Sequence, residues 1–194
     1  MHRITLTRAI AAVSTIVLLS ACASLPLPYD VDLGDKLPQT STDGVVSEPV
    51  QEGEVEELHL RFPSEAGECF AFHDVAPGVT VRSAKLKWIV DVTYDGPELT
   101  GKLQGRAYAT GVGDEVFDPS NTLGPLVTVK LDRTSTRFEG MAELNPEQLQ
   151  AVNEREVCWG AAVEGEDVAA LEDGTITVDY SVKKLMLHIT FSVF

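Results

Sequence analysis

Lys85-Leu86-Lys87-Trp88-Ile89-Val90-Asp91-Val92-Thr93-Tyr94 sets the fold class. Leu86, Trp88, Val90, Val92 and Tyr94 recur at every second position, and Lys85, Lys87, Asp91 and Thr93 fill the alternate ones. A period of two marks a strand with one buried face, so Trp88 is expected in a core. Asp95-Gly96-Pro97-Glu98 then supplies turn chemistry. With those four residues as a hairpin loop, Tyr94 pairs with Leu99 and Val90 with Leu103. Trp88 then faces Gly105, where a missing side chain leaves room for the indole.

The same alternation spreads in both directions. Leu58, Leu60 and Phe62 alternate with His59 and Arg61, and Cys69-Phe70-Ala71-Phe72-His73 is a short apolar run closed by Pro77-Gly78. Further strands are expected around Leu126–Leu131, Thr136–Ala142 and from Val157-Cys158-Trp159 onward, with a polar loop at 111–124 and an acidic connector at 164–174. One helix interrupts them. Asn145 suits the N-cap, Pro146 the first helical position and Gln148 the capping box, which predicts a helix from Pro146 to about Asn153 with Leu149 and Val152 inward.

Near the C-terminus, Ile176, Val178, Tyr180 and Val182 form one apolar set, and Leu185, Leu187, Ile189, Phe191 and Val193 a second of opposite parity. A turn at Lys183-Lys184 would put both on one face and set Asp179 opposite His188. Lys-Lys is poor chemistry for a two-residue turn, so a looser loop of the same register serves equally. The apolar row lacks the parity of Phe194, which argues against an outer-membrane barrel strand. The expectation for 57–194 is an all-β domain, a mainly antiparallel sandwich or barrel of about eight to ten strands with one short helix.

The N-terminal stretch has a different character. His2, Arg3 and Arg8 precede a run from Ala9 to Leu19 that is apolar except for Ser14 and Thr15. That run is too short for a bilayer span, which needs about 20 residues, and it has the layout of a secretory signal. Its end, Leu19-Ser20-Ala21-Cys22, resembles a bacterial lipobox. The resemblance implies cleavage after Ala21, so that 1–21 is a signal peptide. It also implies a diacylglycerol thioether on the Cys22 sulfur and acylation of the new amino terminus. Ala rather than Asp at position 23 is similar to the pattern that favours the outer over the inner membrane. Ordinary secretion with cleavage at an Ala-x-Ala-like site is the alternative.

Between 22 and 56 no hydrophobic period persists. Prolines stand at 26, 28, 38 and 49 and acids dominate from Asp30 onward, the composition of an acidic disordered tether. Such a chain would have a typical end-to-end distance of roughly 30 Å, while Val45, Val46 and Val50 give thin evidence for the alternative, a strand of this stretch docked on the domain.

The formal charge of the 194-residue chain is −15, and removal of Arg3 and Arg8 with no acid leaves 13 basic and 30 acidic residues, or −17. This charge opposes binding to nucleic acid or to anionic lipid head groups. Of three cysteines, the lipobox takes Cys22, leaving Cys69 and Cys158 as an even pair. In an oxidising envelope they are expected to form a disulfide; two free buried thiols are the alternative.

Chemistry-bearing motifs are sparse. His59, His73 and His188 form no metal-ligand spacing, and Cys69 and His73 alone do not make a zinc site. No nucleophile elbow or phosphate-binding glycine loop is present. Asp114, Glu115 and Asp118, near Asn121, are weak calcium candidates that lack the spacing of an EF-hand. Cys69, Trp88 and Cys158 follow the immunoglobulin Cys-Trp-Cys order, but Glu156 stands where the corner tyrosine belongs, so the resemblance extends only to a bridged two-sheet sandwich. The expected function is a lipid-anchored, non-catalytic accessory or binding module of the cell envelope, contacting envelope proteins or glycans, with no catalytic residue and no cofactor assigned. Two alternatives are an envelope hydrolase using carboxylates and a calcium-dependent glycan-binding domain. The latter requires Trp159, Tyr108 and Tyr94 to be exposed.

Overall fold

The computed structural model describes residues 26–55, 58–71, 73 and 79–192. Over these residues it is a two-sheet antiparallel sandwich, as the alternation predicts, with eleven strands, a single-turn helix at Gln39–Thr42 and one helix of nine residues. In the first sheet the long strands β6 (Thr80–Asp95) and β11 (Gly174–Ser192) lie side by side, with β9 (Thr136–Glu143) beyond β6. The free edge of β11 is covered by two short strands end to end, β1 (Pro26–Asp32) on 186–192 and β2 (Asp43–Val50) on 174–181.

The second sheet repeats the plan. Strand β10 (Glu156–Ala170) pairs on one side with β7 (Leu99–Thr110), which pairs with β8 (Thr122–Val129). Its other side carries β3 (Gly53–Val55), β4 (Leu58–Phe62) and β5 (Glu68–Ala71). The inner faces form one core, in which Phe62 of the second sheet stacks on Tyr180 of the first at 4.6 Å. Trp88 is buried in it.

Four expectations change. The tether expected over 22–56 is strand through most of 26–55, and its Val31, Leu33, Leu37 and Val50 are buried in the core. A nineteen-residue β11 presents an edge that must be covered, and edge strands tolerate the prolines that made this stretch look unstructured.

The C-terminal hairpin is instead the single strand β11. Val182 pairs with Val90 and Lys184 with Ile89, so Lys183 is one extra residue, a β-bulge. One inserted residue flips the parity, which keeps both apolar sets facing the core without a turn.

The hairpin at Asp95–Glu98 is a corner between sheets: β6 and β7 do not pair. The glycine facing Trp88 is therefore Gly140 of β9, and Gly105 instead lies against Phe138. Finally, the acidic connector at 164–174 continues β10 as far as Ala170. The helix, α1 (Pro146–Glu154), keeps its predicted start: Asn145 and Gln148 form the reciprocal capping box, and Gln148 Nε2 also donates to the Ala109 carbonyl at 2.7 Å.

Candidate functional site

Polar side chains converge on the outer face of the second sheet. Residues 111–121, linking β7 to β8, fold back over it, and Val116 and Phe117 pack with Tyr108, Cys158 and Ala162 into a second apolar cluster. Gly160 makes this possible, because a Cβ there would lie 2.6 Å from the Phe117 ring. Arg61 stands over the same ring, 4.9 Å from its centroid.

The β10 register brings the charged groups together. Glu164 lies between His59 of β4 and Gln104 of β7, and Ala162 lies between Arg61 and Arg106. The Tyr108 hydroxyl donates to Glu164 Oε1, Arg106 Nε stands 3.0 Å from Oε2, and His59 Nδ1 is 3.9 Å from Oε1. These groups border a cavity of about 340 Å³ that Glu115 and Asp118 also line. Burial, and then the neighbouring Glu164 carboxylate, push the Tyr108 phenol well above the usual tyrosine range. Tyr108 is thus a committed donor, and both Glu164 oxygens are engaged. Together these contacts form a strut tying β7 to β10.

Asp114, Glu115 and Asp118 border a neighbouring cavity of about 500 Å³, with Glu147 and Glu154 of α1 across from them. The three calcium candidates share this cavity but do not converge on one point. Asp118 accepts from the backbone and side chain of Ser120, which hold its carboxyl below the usual range, while Asp114 faces Thr110. Among the described residues no three His, Cys, Asp or Glu side chains are placed to hold a metal ion. Acids serving as turn caps look, in sequence, like acids serving as ligands.

The other sequence candidates are scattered. Cys69 and Cys158 form the expected disulfide, at paired positions of β5 and β10, which removes Cys69 as a metal ligand. His188 Nδ1 lies 2.6 Å from Asp30 of β1, not opposite Asp179, because β11 does not fold back on itself. Trp159, Tyr108 and Tyr94 are all buried, so none can stack on a sugar as the glycan-binding alternative requires. Cys22 lies outside the described residues. Among the described residues, no helix is long and apolar enough to cross a membrane. The Tyr108–Glu164–Arg106 group was missed in sequence, since only the register of β10 against β4 and β7 assembles it.

No protein-family model matches the chain, and no curated protein matches it. Among solved structures it is similar to that of the infectious bursal disease virus Gt strain, with 10% identity and a TM-score of 0.38 over 87% of this chain and 42% of that one. The Gx strain structure gives 11% and 0.34 over 88% and 40%, and a marine algae virus of the order Picornavirales gives 10% and 0.25 over 90% and 72%. This chain thus spans about two fifths of the length of the first two, and superpositions this loose transfer no function.

Proposed function

We propose that the chain is a lipid-anchored cell-envelope protein, acting as a non-catalytic accessory or binding module for other envelope proteins or glycans. The observation that carries the proposal is Leu19-Ser20-Ala21-Cys22, placed directly after a basic and then apolar leader. Ala23 favours the outer membrane. Several acyl chains, at about 0.8 kcal/mol per buried methylene, suffice for stable anchoring. The Cys69–Cys158 bridge suits an oxidising compartment.

The non-catalytic part is supported by the outer face of the second sheet, where Glu164 is paired with Tyr108 and Arg106 in a tie between β7 and β10. With the three candidate aromatics packed inside, they offer a sugar no platform, which weights the partner toward protein.

The test is the intact mass of the protein purified from its native membrane, before and after reduction, followed by identification of what co-purifies. Acylated Cys22 onward, two hydrogens lighter before reduction, is the expected result. An unacylated chain released into the medium would overturn the anchor.

A further inference from the structure

We infer that the folded domain does not hang from the membrane on a tether but rests on the lipid surface through the exposed apolar corner Leu27, Tyr29 and Phe191. This deepens the lipid-anchor reading and rests on it. Strand β1 begins at Pro26, four residues after Cys22. Four extended residues reach at most about 14 Å. The headgroup layer alone is about 5 to 8 Å deep, so an acylated Cys22 holds the start of β1 at the bilayer interface.

The side chains at that corner suit the position. Leu27 pairs with Phe191, and Phe191 with Val81; Tyr29 pairs with Ile189, and Ile189 with Ala84. All of them share the face that makes the core further along the sheet. Exposure rises toward the edge: Val81 is 2% and Ile189 1% exposed, Phe191 is half-buried, and Leu27 and Tyr29 reach 44% and 39%. The apolar row of the first sheet therefore ends in exposed side chains at its β1 edge.

A leucine beside a tyrosine is apolar with one polar tip, the chemistry of the lipid headgroup boundary. A patch this small would not recruit a free protein. Next to an acyl anchor the contact is intramolecular, at an effective concentration of order millimolar or more. The acyl chains then hold the domain, and the corner sets its orientation.

The experiment uses the full acylated protein in phosphatidylcholine vesicles, carrying Tyr29→Trp; native Trp88 and Trp159 are buried and give a background that the unsubstituted protein measures. The added emission is expected to be quenched by lipids brominated near the top of the acyl chain and shielded from aqueous iodide. Leu27→Asp in the same background should cut the lipid quenching at least threefold with acyl mass and membrane fraction unchanged. An acylated protein whose introduced indole is open to iodide would overturn the docking and leave the anchor standing. Shielding from iodide without lipid quenching would also overturn it, assigning the corner to a second copy or another protein. Absence of acyl mass would remove the anchor itself, and the docking with it.

Discussion

Gly140→Ala would test whether Trp88 fixes the spacing of β9 against the core. Gly140 pairs with Trp88, and the indole lies across it: a Cβ at 140 would approach Trp88 Cη2 to 2.8 Å and Cε2 to 2.9 Å. Gly124 of β8 also lies against the indole, where an added Cβ would come 2.9 Å from Cη2, so glycine backbone meets this ring at two positions. Two effects oppose. Ala restricts the unfolded chain and would stabilise by about 0.4 to 1 kcal/mol where the backbone accepts it. Overpacking a filled core costs about 1 to 3 kcal/mol. The steric effect is the larger, for a net loss of up to about 2.6 kcal/mol. In urea, with a slope of about 2 kcal/mol/M, a loss of about 1.5 kcal/mol lowers the midpoint by roughly 0.7 M. Tryptophan emission and far-UV circular dichroism should report it together. Trp88→Phe shortens the ring, so Gly140→Ala should cost at least about 1 kcal/mol less in that background. A Gly140→Ala protein as stable as the parent, or strict additivity with Trp88→Phe, would refute the packing.

Replacing Cys69 and Cys158 together by alanine opens a loop of 89 residues and should cost about 4 to 5 kcal/mol by chain entropy, read as a lower urea midpoint that the reduced parent protein shares. Asn145→Ala removes one cap and should cost about 1 kcal/mol. Gln148→Ala also strands the buried Ala109 carbonyl and should cost about 2 kcal/mol, an order of severity that thermal melts of the two variants would check. In alkali, burial pushes the Tyr94 phenol up to about 12, with Asp95 adding to it, and burial also raises Tyr108 and Tyr180. A folded pKa above the unfolded value near 10 favours the neutral phenol in the fold. Stability should be complete below pH 10 and fall as pH rises from 10 to 12. Urea midpoints across that window should fall less steeply for Tyr94→Phe.

The sandwich was legible in sequence wherever one face was buried and the other wet, as from Leu86 to Tyr94. The parity change at Lys183 was equally visible, but a turn and a bulge leave the same mark on a sequence. Only the partner strand decides between them: β6 runs unbroken beside β11 through the change. Strand β1 was illegible, and β2 was hinted at only by Val45, Val46 and Val50, for a related reason. Each needs only one hydrogen-bonded edge, so Pro26, Pro28 and Pro49 carry little penalty, and their burial comes from isolated residues such as Val31 and Val50. Of the polar groups, the disulfide followed from counting cysteines, because an even pair in one compartment has one way to combine. The Tyr108–Glu164–Arg106 strut had no local signature, since its members lie on two strands far apart in the chain.

In the anchored protein proposed above, the conversion of the expected tether into strands changes what would hold the domain away from the bilayer. A flexible segment of that length would place the folded part at a typical distance of roughly 30 Å, with wide fluctuation. In the structure the same residues lie against β11, whose nineteen residues span about 60 Å at 3.3 Å per step. Pro26 pairs with Ser192 at one end of β11, and Val50 pairs with Gly174 at the other. With the Pro26 corner docked as proposed, stand-off is supplied by a rigid strand ladder. The end that reaches farthest from Pro26 along β11 is the corner at Asp95–Glu98 and the link from Ala170 to Gly174, where Leu171 is exposed among Glu98, Glu172 and Asp173. A partner that reads a loop ringed by acids would meet it at a set height, and inserting flexible residues between Cys22 and Pro26 would change that height's spread more than its mean. Cross-linking from Leu171→Cys to co-purifying proteins, with and without a twenty-residue insertion, should therefore lose yield when the linker is added. Equal yields would show that a fixed height is not what the strand ladder provides.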